Sequence, residues 1–210
     1  MKKFLAVILC LAGLCAAAAA VYLSVQFMDT KPILLTPPDE AKTRVVAMMD
    51  AVCQGDYAEA SQSILGTPSL GVDREAADDV GVLIWDAFVD SLSYELEGDC
   101  YATDDGLAQN VIFSCMDITS VTANLRDRSQ TMLEQRVKAA EDASEIYDED
   151  YQYREEFVME VLHDSTVEAL KEDAREMTLT LTLNLSYRDG QWWVVANNEL
   201  LDAISGGILY

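Results

Sequence analysis

The sequence predicts an α+β fold in which an antiparallel curved sheet, covered on one face by helices, follows an apolar N-terminal helix. Three observations predict it. Apolar and polar residues alternate without a break over 177–187, as they do in a strand with one buried face. Apolar residues recur at spacings of three and four over 39–54, as in an amphipathic helix. The first 28 residues are almost wholly apolar.

The N-terminal run predicts a signal anchor or signal peptide over residues 1–28. Lys2 and Lys3 precede an apolar stretch that reaches about Met28, and a bilayer core needs roughly 20 such residues. Because the two lysines precede the run and an acidic chain follows it, the positive-inside rule places the N-terminus in the cytoplasm. We therefore expect a single-pass protein of the cell membrane with an extracytoplasmic domain.

Two alternatives for this leader stay open. The small residues Ala16–Ala20 offer a site for a signal peptidase, and cleavage there would release a secreted domain. Leu11–Gly13 with Cys15 is similar to the start of a bacterial lipobox, although Leu14 departs from the small residue that the motif requires. All three alternatives place the rest of the chain outside the cytoplasm.

The chain after the leader is distinguished by its prolines and its acidic charge. Prolines at 32, 37 and 38 predict an extended linker over 29–38, and 39–210 are enough residues for one α+β domain. This exterior part holds 12 basic and 37 acidic residues, a formal charge of −25. Such a charge repels phosphate backbones, so nucleic acid is excluded as a partner. The charge either keeps an exported domain soluble or attracts cationic ligands, peptides or divalent metal.

Neither a cofactor nor a metal site is predicted. Cys53, Cys100 and Cys115 lie beyond the leader without zinc spacing, and are either buried and reduced or form one disulfide with one thiol left over. The acidic run Asp148–Asp150 lacks the glycine and the alternating oxygen ligands of a calcium loop. We interpret that run as a solvated bend between two helices.

Helices are expected first along the domain. The helix over 39–54 has a core stripe of Val45, Met48, Met49 and Val52. Gly55-Asp56 ends it, and a shorter helix is predicted over 57–65. Asp73 can cap a third helix, in which Trp85 lies at the edge of a stripe formed by Val80, Ile84, Phe88 and Leu92.

Two hairpins supply the predicted sheet. In the first, over 94–119, Asp104-Asp105-Gly106 is the turn signal and the return strand runs over 111–118. The stretch 121–173 between the hairpins favours helix. In the second hairpin Asp189-Gly190 is the turn, which puts Tyr187 opposite Trp192.

The order of these parts resembles the nuclear transport factor 2-like superfamily, a cystatin-like α+β cone, and in particular its exported, membrane-tethered bacterial members. The resemblance rests on Gln54–Tyr57 after the first helix, Asp189–Trp192 at the hairpin and Asn198–Gly207 near the end. The helical stretch 121–173 is longer than the usual connection in that superfamily. Some members are acid/base enzymes, and the resemblance implies a ligand pocket inside the cone.

Enzyme chemistry is the minority hypothesis. His163 is the only histidine, and with Asp164 or Asp117 it could act as an acid/base pair of the isomerase or dehydratase kind. No hydrolase, zinc-protease, nucleotide or dinucleotide motif occurs. We therefore predict that the protein has no catalytic residues. The alternative is that His163 and Asp164 are catalytic.

The polar side of the final hairpin is the better functional candidate. Thr180 and Thr182 share that side with Trp193, and an aromatic side chain on a polar sheet face is a candidate anchor for another protein or a second copy. The alternative is that the long helical stretch covers Trp193. The sequence thus favours a tethered, non-catalytic interaction or accessory domain over a small-ligand binder.

Overall fold

The computed structural model describes residues 38–66 and 78–206, and within them the fold is α+β. The predicted leader, most of the linker and Asp73 lie outside these ranges. No helix within them is long and apolar enough to span a bilayer.

Seven α-helices and five strands succeed one another in the described ranges. The helices are α1 (Pro38–Cys53), α2 (Tyr57–Ser61), α3 (Asp79–Asp90), α4 (Ile118–Thr122), α5 (Leu125–Ala139), α6 (Glu155–Glu172) and α7 (Asn198–Ser205), with a 3₁₀ turn at Ala143–Glu145. The strands are β1 (Ile64–Leu65), β2 (Ser93–Ala102), β3 (Leu107–Met116), β4 (Glu176–Arg188) and β5 (Gln191–Val195). They form one sheet in the order β1-β5-β4-β3-β2.

The sheet is mixed, which corrects the expectation of a purely antiparallel one. The helix predicted over 57–65 stops at Ser61, and β1 pairs parallel with β5, Ile64 opposite Val194. The N–H of Val194 donates to the carbonyl of Ser63 at 2.9 Å. This pairing joins segments far apart in the chain, so no local pattern could reveal it.

The first helix supplies the middle of the core, as predicted. Val45, Met48, Met49 and Val52 are fully buried, and α1 packs across β2, β3 and β5. Gly55 ends the helix with φ +72°, and the carboxylate of Asp56 caps α2 by accepting from the N–H of Glu59 at 2.9 Å.

Both hairpins are present, but the return strand of the first runs over Leu107–Met116 and not over the predicted 111–118, because Ile118 begins α4. Tyr187 lies opposite Trp192 across the turn at Asp189-Gly190, and β3 is an interior strand paired with β2 and β4. One side of β3, β4 and β5 is buried under the helices. Its large buried apolar side chains include Val111, Phe113, Leu181, Leu183, Leu185, Trp192 and Val194.

A bulge interrupts β2 between Glu97 and Tyr101. Gly98 takes φ +71° there, and the buried amide of Gln109 donates to the carbonyls of Glu97 and Gly98 at 3.3 and 3.4 Å. Cys100 donates its S–H to the same amide's oxygen at 3.2 Å, so it does not meet Cys115. A bulged, acidic edge of this kind resists pairing with another strand.

Helices stack outward from the sheet in layers. Helix α3 packs on β3, α6 packs on α3, and α5 packs on α6. Trp85 is buried in α3, which corrects its placement at the edge of the stripe: its ring lies 5.2 Å from that of Tyr57 and 5.6 Å from that of Phe88. Helix α5 has no buried residue, and its apolar side chains, such as those of Leu125 and Val137, are only half-buried.

Candidate functional site

The side of the sheet that faces away from the helices is the candidate site, and we call it the open face. Direct pairing across β2, β3 and β4 puts Glu95, Ile112 and Thr180 in one row of it. Paired positions share a face because side chains alternate along each strand. The open face consists of Ser93, Glu95, Glu97 and Tyr101 of β2, Ala108, Asn110, Ile112 and Ser114 of β3, Thr178, Thr180, Thr182, Asn184 and Ser186 of β4, and Trp193 and Val195 of β5.

Strand β4 creates this face through its alternation. Thr178, Thr180, Thr182 and Asn184 are exposed, while the leucines between them are turned into the core. Threonine is β-branched and suits an extended backbone, so these residues maintain the strand without any burial. The predicted two-sided strand is therefore confirmed residue by residue.

Side-chain hydrogen bonds run across the strands of the open face. The amide oxygen of Asn110 accepts from the hydroxyl of Tyr101 at 3.2 Å and from that of Thr182 at 3.1 Å. The hydroxyls of Ser114 and Thr178 are 3.1 Å apart. These bonds orient neighbouring side chains before any partner binds, which reduces the entropy that binding would cost.

Trp193 lies at the β5 side of the open face, opposite Ser186. It is half-buried, and its indole N–H donates to the carbonyl of Arg188 at 3.3 Å. The helical stretch that was the alternative cover for Trp193 packs chiefly against α3 instead: α6 contacts α3, α4 and α5. Thr180 and Thr182 are exposed, so no described element covers that part of the face.

The structure places all three predicted binding residues on one face, but not in one cluster. Thr180 and Thr182 are near the middle of β4, whereas Trp193 is level with Ser186, four residues beyond Thr182. Four residues of strand span about 13 Å. A partner that touched all three would therefore have to cover several strands.

Sequence reasoning missed Glu95, Glu97 and Tyr101 as members of this face. The alternation of Tyr94 and Leu96 with the two glutamates was a usable signal for the first pair. Tyr101 was not predictable, because the bulge after Glu97 shifts the register of every later residue in the strand.

The alternative acid/base residues His163 and Asp164 lie elsewhere, on α6, where they line a surface groove with Asp79 and Val80 of α3. His163 is exposed, and its Nδ1 is 3.1 Å from the Asp164 carboxylate, which also forms a salt bridge with Arg136. The hydrogen bond with His163 and the Arg136 guanidinium lower the pKa of Asp164. Asp117 instead caps α4 through the N–H of Thr119, so it has a helix-capping role.

The three cysteines within the described ranges are free thiols. Burial, with a smaller contribution from the charge of Asp50, raises the pKa of Cys53 to about 11. Burial also raises the pKa values of Cys100 and Cys115. A protonated thiol is a poor nucleophile, so at neutral pH these groups behave as packing residues.

The inner side of the sheet, where a cone pocket was expected, is occupied by side chains. Met48, Met49 and Phe113 are fully buried there, and Leu183 is nearly so. In the described ranges no three histidine, cysteine or acidic side chains come together in a way that could hold a metal ion.

Comparison with known proteins adds no identity to this geometry. No family model, no curated protein and no solved structure matches the chain.

Proposed function

We propose that this protein is an exported, membrane-tethered domain whose function is to bind another protein, or a second copy of itself, through the open face. The apolar N-terminal run and the acidic chain after it support this location outside the cytoplasm. A relationship to the cystatin-like cones of the nuclear transport factor 2-like superfamily is part of this proposal. It is supported by the order of the elements and by one helix-covered side of the sheet.

The observation that carries the proposal is the position of the half-buried Trp193 on the same sheet face as the exposed Thr180 and Thr182. Tryptophan is among the residues that contribute most to interface free energies, and here its ring is already fixed by a hydrogen bond. Val195 and Ile112 give the same face further half-buried apolar area. Around them, threonine hydroxyls supply a polar rim.

Charge indicates which chemistry such a partner would have. Glu95 and Glu97 are exposed along the β2 side of the open face, in an exterior domain of formal charge −25. Complementary charge speeds association and disfavours like-charged partners. A partner surface with lysine or arginine side chains opposite β2 would therefore be favoured over an acidic one.

The test compares Trp193→Ala with Tyr151→Ala in the full chain. Tyr151 is 85% exposed on the bend before α6, so it is a matched aromatic control away from the open face. Self-association is measured by sedimentation at increasing concentration, and partner capture by crosslinking on the membrane. We expect Trp193→Ala to weaken association at least about tenfold, equivalent to about 1.4 kcal/mol, with Tyr151→Ala unchanged.

Equal association of both variants, with native circular dichroism, would contradict this function. So would a monomeric full chain from which crosslinking captures nothing.

A further inference from the structure

A surface cavity lies outside the open face, at the bend between α5 and α6. It has a volume of about 590 Å³, and we call it the bend cavity. The end of α5, the 3₁₀ turn and the first turn of α6 form its walls. Ile146, only 3% exposed, and Phe157 give it an apolar floor.

The bend that walls this cavity is ordered by its own contacts. The rings of Tyr147 and Tyr153 stack at 5.2 Å, and the ring of Phe157 continues the stack at 6.2 Å. The backbone N–H of Arg154 donates to the carbonyl of Ile146 at 2.8 Å. The cavity is therefore bounded by a bend that these contacts hold in place and by the adjoining ends of α5 and α6.

Three charged side chains in its wall, those of Glu145, Arg154 and Glu156, are exposed to solvent and have no ionic partner in the described ranges. The Nε of Arg154 donates to the carbonyl of Tyr147 at 3.3 Å, which leaves the two terminal nitrogens of its guanidinium without a bond to a described residue. Glu145 and Glu156 form no salt bridge with any described residue. Arg136 differs, because it pairs with Glu160 and Asp164.

We propose that the bend cavity binds a short zwitterionic peptide of two or three residues with apolar side chains. Its carboxylate would meet the free end of the Arg154 guanidinium, whose planar fork matches a carboxylate. Its ammonium group would meet Glu145 and Glu156. An apolar side chain would lie on Ile146 and Phe157, and the volume is in the range of small-ligand sites.

The charge pattern selects against simpler ligands. An inorganic anion would meet Glu145, Glu156 and Glu160 in the same walls. A ligand with only an ammonium group would leave Arg154 unused. This inference is independent of the open face, because it shares no residue with it.

The first experiment is calorimetric titration of the full chain with L-leucyl-L-leucine. Parallel titrations use N-acetyl-leucyl-leucine, which lacks the ammonium group, and leucyl-leucinamide, which lacks the carboxylate. Saturable binding of the zwitterion, with each blocked peptide at least about tenfold weaker, supports the proposal. No saturable binding of leucyl-leucine, or equal binding of all three peptides, overturns it.

The second experiment locates the site. Arg154→Gln and Glu156→Gln are each expected to weaken leucyl-leucine binding at least about tenfold. Glu149→Gln neutralises an exposed carboxylate on the same bend but outside the cavity wall, and it should leave the binding of leucyl-leucine unchanged. If circular dichroism shows that Arg154→Gln disturbs the bend, Arg154→Lys is used instead: it keeps the charge but loses the planar fork, so it should retain only part of the binding. Binding that is unaffected by both cavity variants overturns the assignment.

Discussion

At the scale of single residues, two glycines with similar backbone angles have different surroundings. Gly206 comes directly after α7 with φ +61°, and Gly190 closes the β4–β5 turn with φ +82°. A Cβ on Gly190 would meet nothing within 4 Å, whereas a Cβ on Gly206 would clash with the side chain of Ile118 and approach that of Phe88 at 3.0 Å. The close approach, and not only the left-handed backbone, requires glycine at 206.

The prediction at this scale compares Gly206→Ala with Gly190→Ala. Both variants incur left-handed strain of about 1–2 kcal/mol, and only Gly206→Ala adds overpacking of about 1–3 kcal/mol. Urea unfolding of the two variants measures the difference. Equal free energies of unfolding would mean that Ile118 and Phe88 move aside without cost.

At the scale of one element, the side chains of β4 alternate between the core, where they stabilise the fold, and the open face, where they are available for binding. Leu183 is 1% exposed and packs in the core under the helices, while Thr180 on the same strand is exposed and forms no side-chain hydrogen bond with a described residue. Burying a leucine side chain contributes about 1.5–3 kcal/mol, and the strand buries three of them.

Leu183→Asp is therefore expected to prevent folding, since it would bury an unpaired carboxylate and remove the leucine from the core. Thr180→Ala on the opposite side should change the free energy of unfolding by about 0.5 kcal/mol or less. Circular dichroism and urea unfolding measure both. A folded, soluble Leu183→Asp variant would contradict the assignment of this face to the core.

At the scale of the whole molecule, the inner layers are held by fully buried apolar side chains, and the outermost layer combines half-buried apolar side chains with ion pairs. Helix α5 has no buried residue, but two of its arginines reach α6. Arg128 pairs with Glu172 and Asp173 at 2.9 Å each, and Arg136 pairs with Asp164. The hydrogen bonds that Arg128 donates to Asp173 and Glu172 raise the pKa of Arg128.

Acid should therefore loosen this layer. The folded pKa of Asp164 lies below its ordinary 3.8, so its charge stabilises the fold above that value, and the contribution is lost as pH falls through the lowered pKa. Because the side chain is 47% exposed, screening limits the effect to roughly 0.2–1 kcal/mol.

Asp164→Asn should thus be less stable than the parent at about pH 7 and equal to it at about pH 2. Glu141→Gln, exposed at the end of α5, is the control and should show no such pH dependence. Urea unfolding at the two pH values measures the difference. A constant difference between Asp164→Asn and the parent would exclude the ionic contribution.

The sequence by itself determined the elements whose signals are local. The alternation over β4, the turn at Asp189-Gly190 and the stripe of α1 predicted the strand, the hairpin and the first core helix. It also identified the polar side of β4 as the best candidate surface. Periodicity sufficed there because burial on one side is repeated along a single segment.

Only the tertiary structure decided which segments meet. The parallel pairing of Ile64 with Val194 and the packing of α6 on α3 join residues distant in the chain, and the bulge that redirects Tyr101 depends on how β2 pairs with β3. The bend cavity likewise needs Arg136 and Arg154 brought to the same place by a turn. Such contacts give no signal in the local sequence, because the secondary-structure propensity of a segment does not specify which other segment it packs against.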